Sequence, residues 1–319
     1  MSGARCEAEP VATDRGGRAG IVVVGDLMVD VVAALPGPLA HGSDTPAPIE
    51  LHQGGSGANV AAWLGSCVFV GRAGADPLGD AAVAALAAAG VDARVQRDPR
   101  RATGTCIVLV HPGGERTMVP DAGANDGLEV VELPAGEHLH VGGYGVLREG
   151  SRGAVLDALA QARSRGMTIS VDPSSAAPLA AAGAERFLGW IAGAGLLLPN
   201  ADEALVLTGE ADPERAALAL ARRASTSSAS AGRSRRSAVA VKLGADGALW
   251  TDGARVLRAP AEPVAVVDTT GAGDAFAAGL LAARLDGAEP AEALAAGCRL
   301  AARAVEVRGP RLRSTGQST

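Results

Sequence analysis

The stretch VVDTTGAGDAFAAGLLAARL, Val266 to Leu285, decides how the rest of the chain is read. The apolar run Val264-Ala265-Val266-Val267 predicts a buried strand, which Asp268, Thr269 and Thr270 bring to an end. Gly271-Ala272-Gly273 then turns the chain into an alanine-rich helix with Phe276, Leu280 and Leu281 at helical spacing. A glycine turn that opens a helix presents unpaired N–H groups at the positive end of the helix dipole. Such a turn binds anions, and phosphate is the usual one. Asp274 stands in the same turn, where the dipole keeps a carboxylate ionised. It could take a proton from a hydroxyl while the amides hold a phosphoryl group. The same residues also read as a capped helix after a tight connection, and the stretch alone does not choose between the two.

Working outward, 319 residues suffice for one large α/β domain, with or without a small appendage. Aromatic residues make up 2 % of a chain that is 48 % hydrophobic, so its core must be built from Ala, Val and Leu. A net charge of −6 argues against nucleic acid or an anionic membrane as partner. No stretch approaches a membrane span, and Met1 to Gly20 lack the apolar core of a secretory signal. Cys6, Cys67, Cys106 and Cys298 have neither metal nor redox spacing, and the last three sit in apolar surroundings, which fits a reduced cytoplasm. Lys242 is the single lysine; every other strong base is arginine.

Residues 1–19 read as a loose tail. Ile21–Val24 is a buried strand ending in Gly25-Asp26, and Asp30 follows in an extended segment reaching Leu35. Ile49–Gln53 alternates like a half-exposed strand and runs into a second glycine turn, Gly54 to Asn59, that opens a helix. Strand Cys67–Val70 and helix Asp80–Ala89 come next, then a hairpin, Thr105–Val110 with Arg116–Pro120. Gly123-Ala124-Asn125 returns the chain to the core. From there helices and strands alternate, with strands at His138–Val141, Met167–Val171, Leu196–Leu198 and Val239–Lys242. Helices are expected at Ser151–Arg165, Ala201–Leu207, Pro213–Ala224 and Ala291–Val307. The low-complexity run at 225–237 reads as a mobile surface loop, and 308–319 should fray. These units predict an α/β fold, three-layer α/β/α with a mostly parallel central sheet, over residues 20–310. Segments near 30–53 and 103–120 fall outside that rhythm and predict a small β-sheet lid over the ligand ends of the strands.

GGSGANVAAWLG at 54–65, FVGRAGADPLG at 69–79, GAN at 123–125, Asn200-x-x-Glu203 and VDTTGAGDAF at 267–276 together resemble the ribokinase-like, or PfkB, carbohydrate kinases in motif, order and spacing. The resemblance implies ATP-dependent transfer of the γ-phosphoryl group to a hydroxyl of a small sugar. Asp274 would be the base, and the backbone of Gly271, Ala272 and Gly273 the anion hole. By the same resemblance Asp30, Gly55 and Asn59 contact sugar hydroxyls, while Lys242, Gly244 and Gly247 lie beside the nucleotide. Asn200 and Glu203 would organise ATP and Mg²⁺ through waters, although their spacing equally fits a helix capping box. Asp268 matches a position that in some members helps bind a monovalent cation such as K⁺, and lids of the family often pair into homodimers.

Two departures set the acceptor apart from plain ribose: Ser56 replaces the lysine of ribokinases, and Gly142-Gly143-Tyr144 replaces a sugar-contacting carboxylate. Tyr144 either stacks on a sugar or base or simply packs, and Arg116 either meets an acidic sugar or is a solvated hairpin residue. A nucleoside kinase of the same family, adenosine- or pseudouridine-kinase-like, is the alternative. A dinucleotide-dependent oxidoreductase fails because Gly271-x-Gly273-x-x-Phe276 lacks the third small residue and lies too near the C-terminus. A non-catalytic sugar- or nucleotide-binding regulator has no need of Asp274.

Overall fold

The computed structural model describes residues 20–112, 115–229, 237–307 and 309, with backbone alone for 225–229. In chain order the elements are β1 (Ile21–Val24), β2 (Met28–Ala34), β3 (Ile49–Gly54), α1 (Ser56–Leu64), β4 (Val68–Gly74), α2 (Pro77–Ala88) and β5 (Asp92–Asp98). β6 (Gly104–Val110), β7 (Arg116–Asp121), β8 (His138–Gly142), α3 (Gly143–Leu147), α4 (Glu149–Ser164) and β9 (Thr168–Asp172) follow. The chain continues through α5 (Ala176–Ala182), α6 (Ala184–Trp190), β10 (Leu196–Leu197), α7 (Ala201–Thr208), α8 (Pro213–Ala229) and β11 (Ala238–Lys242). It closes with β12 (Ala248–Thr251), β13 (Val256–Ala259), α9 (Ala272–Leu285) and α10 (Pro290–Val305).

Nine strands form one sheet in the order β13-β12-β11-β10-β9-β8-β1-β4-β5, every pairing parallel except the antiparallel β11–β12 and β12–β13 at one edge. Apolar side chains fill both of its faces, as strands buried between helix layers require. Leu139, Val141, Val171 and Phe187 belong to one core cluster, and Val23, Phe69, Phe276 and Leu280 to the other. Phe69 and Phe187 are fully enclosed, so replacing either with Ala costs about 3–5 kcal/mol. Cys67, Cys106 and Cys298 are free and buried, as read from the sequence, and burial pushes the Cys67 thiol up to about 12. Among the described residues no helix is long and apolar enough to cross a membrane.

A second sheet, β3-β2-β6-β7, is built from the two excursions. Its roots are fixed by side-chain clamps on the backbone. Asn125, the last residue of the GAN motif, accepts from Leu27 N and donates to Leu27 O, both at 2.9 Å, between β1 and β2. Asp76 caps α2 and takes both the backbone N–H and the hydroxyl of Thr103, just before β6.

Several expectations change. Val264–Val267 forms no strand, and Val266 and Val267 are 63 % and 56 % exposed. Their segment is tied instead to the end of α10, where Val305 O accepts from Val267 N and Asp268 N. The buried strand expected there is absent, and the sheet ends on that side at β13. The mobile loop read at 225–237 is helical through Ala229, as the last turns of α8; 230–236 lie outside the described residues. So do the 1–19 tail and all of 308–319 except Gly309.

Candidate active site

Parallel strands end on the same side of a sheet, and here their last residues form a polar row. Gly142 and Asp172 are register partners at the ends of β8 and β9, and Asn200 bridges to Lys242 at the end of β11. Asp26 stands beyond β1 and receives Gly57 N at 3.1 Å from the first turn of α1. That approach requires glycine at both 25 and 57: a Cβ on Gly57 would stand 2.7 Å from Gly25 Cα.

The other glycine turn, Gly271 to Gly273 at the head of α9, meets this row. Gly271 adopts φ 75°, ψ 1°, the left-handed geometry that lets the chain turn abruptly into the helix. Among the described residues the N–H groups of Gly271 and Gly273 have no backbone partner, whereas Ala272 N reaches Thr269 O at 3.3 Å. Lys242 lies directly beneath; a Cβ on Gly273 would be 3.4 Å from its Nζ. Three positive elements therefore converge on one point: two amides, a helix N-terminus and an ammonium group.

Asp274, in the first turn of α9, accepts from Ser56 Oγ on Oδ1 at 2.7 Å and from Asn59 Nδ2 on Oδ2 at 2.9 Å. The two glycine turns, more than two hundred residues apart in sequence, are thus joined at this carboxylate. Burial pushes its pKa up to about 7, against the pull of the Asn59 and Ser56 hydrogen bonds. A carboxylate poised near neutrality, with a lone pair left on each oxygen, is matched to removing a hydroxyl proton. Asn59, expected on the acceptor, is therefore engaged with the base. Ser56, read as a departure from ribokinases, has a defined partner.

Lys242 Nζ donates to Asp172 Oδ2 at 2.6 Å, and Asp172 is 2 % exposed. Burial alone would lower the Lys242 pKa; the carboxylates of Asp172 and Glu203 reverse this and hold it above the ordinary lysine value. Asn200 and Glu203 form the capping box that their spacing allowed: Glu203 N donates to Asn200 Oδ1 and Asn200 N to Glu203 Oε2. Burial raises Glu203 to about 7, with Lys242 acting against it and Asp172 adding to it. Gly244 and Gly247 shape the turn after Lys242. Gly244 is exposed, and Gly247 is needed for packing, since a Cβ there would lie 2.1 Å from Ala259 O.

Asp30 is buried in β2, register partner of His52 and Cys106. A Cβ on Gly54 would sit 2.6 Å from either Asp30 carboxylate oxygen, so that glycine makes room for the acid. Gly55 caps α1 at φ 89°, hard against Asp26 O. Tyr144, in α3, carries the Arg148 guanidinium over its ring at 5.2 Å.

Asp268 accepts from Thr270 N at 2.7 Å and Gly309 N at 3.0 Å, and pairs with the Arg116 guanidinium. These bonds hold its carboxyl below the usual range although half-burial works the other way. Among the described residues no cluster of three or more His, Cys, Asp or Glu could cage a metal ion. Both Glu203 oxygens are engaged by Asn200, Oε2 by its backbone N–H at 2.9 Å and Oε1 by its side-chain amide at 3.0 Å.

Asp172 was missed from sequence. The one signal was a carboxylate at a strand end followed by Pro173, and its partner Lys242 is 70 residues away. Asp26 was read only as a polar residue at a strand end.

This arrangement of base, anion turn and ammonium on an α/β sheet defines a phosphotransferase. The pfkB family carbohydrate kinase pattern matches residues 18–315, and the chain belongs to that family. It is 31 % identical over 309 residues to 2-dehydro-3-deoxygluconokinase of Thermoproteus tenax, covering 91 % of this chain and 89 % of that one. With a fructokinase of Escherichia coli it shares 30 % identity over 274 residues, covering 81 % and 82 %. Adenosine kinase from Sinorhizobium meliloti superposes with a TM-score of 0.81 at 24 % identity, covering 94 % and 97 %. The ribokinase-like fold and the carbohydrate kinase class expected from the sequence are those found.

Proposed function

We propose that the chain phosphorylates a neutral sugar at the junction of the two glycine turns. The observation that carries this reading is Asp274, a carboxylate raised to about 7 and held by both turns beside Lys242 and the open amides of Gly271 and Gly273. Asp274 takes the proton from the acceptor hydroxyl. The amides and Lys242 hold the transferring phosphoryl group, so catalysis is positioning plus charge stabilisation. Glu203 and Asn200 would hold the nucleotide's Mg²⁺ through its waters, and the ion would neutralise charge on the phosphates. Asp30, with Asp26 beside it, accepts from sugar hydroxyls, and the small sheet serves as the lid that excludes water.

Carboxylates on the acceptor side suit a polyol. Arg116, the lid group that would suit an acid, is spent on Asp268, which favours a neutral sugar over a sugar acid. For the same reason we assign Asp268 to Arg116 rather than to a monovalent cation. The lid's outer face also points to a homodimer. Leu51, Val31, Ile107 and Val119 lie in one row across all four strands, and Leu51, Ile107 and Val119 are 61 %, 47 % and 55 % exposed. A second copy of the chain would cover them.

A coupled ADP-release assay over neutral pentoses and hexoses, 2-keto-3-deoxy acids and nucleosides tests the acceptor. Highest kcat/KM on a neutral sugar is expected. A preference for the acids or nucleosides overturns the neutral-sugar reading, and no turnover on any of them overturns the site.

A further inference from the structure

The turn that precedes the anion hole has little to hold it. Val266 and Val267 lie outside any strand, and the backbone there is fastened to the body through Val305 O. What orders the next three residues is the Asp268 carboxylate, which gathers Thr270 N and Gly309 N. Arg116, the first residue of β7, reaches across 152 residues of sequence to this carboxylate through Nη2. Its Nη1 donates to Thr269 Oγ1 at 3.1 Å. Thr269 in turn accepts Ala272 N on its carbonyl. Gly309 packs against the lid as well, since a Cβ there would stand 2.5 Å from His52 Nδ1 on β3. Both edge strands of the small sheet, β3 and β7, therefore converge on the Asp268 cluster.

We propose that Arg116 is a positioning residue for phosphoryl transfer: by bridging Asp268 and Thr269 it fixes the turn whose next residues are the anion-hole amides, so that the hole is set only when the lid is down. The guanidinium fits both jobs. It is planar and always charged, and it offers donors in a fork that can meet a carboxylate and a hydroxyl together, which a lysine cannot do. The inference rests on the anion-hole reading of Gly271 to Gly273.

The test is steady-state kinetics of the full chain carrying Arg116→Ala and Arg116→Lys, with Asp274→Asn in parallel and thermal unfolding of each. Arg116→Ala should lower kcat about tenfold to a hundredfold, as sub-ångström misplacement of a reacting group does, with acceptor KM changed less than about threefold. Added guanidinium ion, below denaturing concentration, should restore part of that kcat in Arg116→Ala and none in the parent, and Arg116→Lys should fall between. A kcat within twofold of the parent overturns the proposal, as does a loss that guanidinium leaves untouched. A raised acceptor KM at unchanged kcat also overturns it, by making Arg116 a substrate contact. If Arg116→Ala behaves as the parent while Asp274→Asn is inert, only the latch falls; if Asp274→Asn keeps turnover, the proposed reaction centre on which the latch rests fails with it.

Discussion

Replacing Asp274 with asparagine should make the enzyme nearly inert and, at alkaline pH, more stable. The carboxyl titrates near 7 in the folded chain, against about 3.8 when exposed. Between those values the folded state binds more protons than the unfolded one, so stability falls as pH rises through that window. A shift of about three units corresponds to about 4 kcal/mol at most by pH 8, and the partly open mouth of the site brings this to roughly 2–3 kcal/mol. Asparagine keeps the shape, and the Ser56 hydroxyl can turn to accept from it, so the variant sheds the charge penalty without orphaning its partners. The expected result is a melting temperature about 4–6 °C higher at pH 8, shrinking to a degree or two at pH 5. Turnover should fall about 10³-fold, the middle of the range for a general base. The assay is scanning fluorimetry across pH 5–8 beside the coupled kinase assay. An equal or lower melting temperature at pH 8, or a gain independent of pH, would falsify the buried-carboxylate argument. Turnover within tenfold of the parent would remove Asp274 as the base.

The parent's kcat should rise with pH through an apparent pKa of about 7 and level off above it, because the deprotonated form is the active one; a flat profile from pH 5.5 to 8 contradicts this. Gly54→Ala should raise acceptor KM at least tenfold with ATP KM unchanged, since the new Cβ must displace the Asp30 carboxylate from 2.6 Å. Lys242→Met leaves Asp172 buried without its cation and should cost about 3–5 kcal/mol in urea unfolding, along with a raised ATP KM; equal stability would mean the pair opens freely. Ile107→Glu on the lid's outer face should convert a dimer to monomers in light scattering; a parent already monomeric at micromolar concentration removes the dimer from the reading.

The motifs carried the fold a long way because glycine turns, strand runs and helix caps are local chemistry. Gly271, Gly57 and the Asn200–Glu203 box did in the structure what their neighbours in sequence required. Edge strands were harder to see. β5 (Asp92–Asp98) and β13 (Val256–Ala259) were not read, because a strand at a sheet edge can be as polar as DARVQRD and lacks the apolar run of a central strand. The reverse error befell Val264–Val267, where an apolar run was read as a strand although its backbone is tied to the end of α10 and not to a neighbouring strand. Within the site most residues were legible, Asp172 being the one missed, but partners distant in sequence were not. Asn59 and Ser56 turning to Asp274, Asp172 to Lys242 and Arg116 to Asp268 are all set by topology, which spacing along a chain does not encode.

The Lys242–Asp172 pair has a consequence for anyone handling the protein. With one lysine in 319 residues, side-chain amine chemistry has a single address, and that address is in the proposed reaction centre. Acylating reagents need the neutral amine, and here the ammonium form is held by two acids and mostly covered. Modification will therefore proceed at the rate at which the pair opens, and nucleotide seated over it will slow it further. The extent of labelling becomes a direct clock for breathing of the phosphate pocket, free of the background that a lysine-rich surface would give.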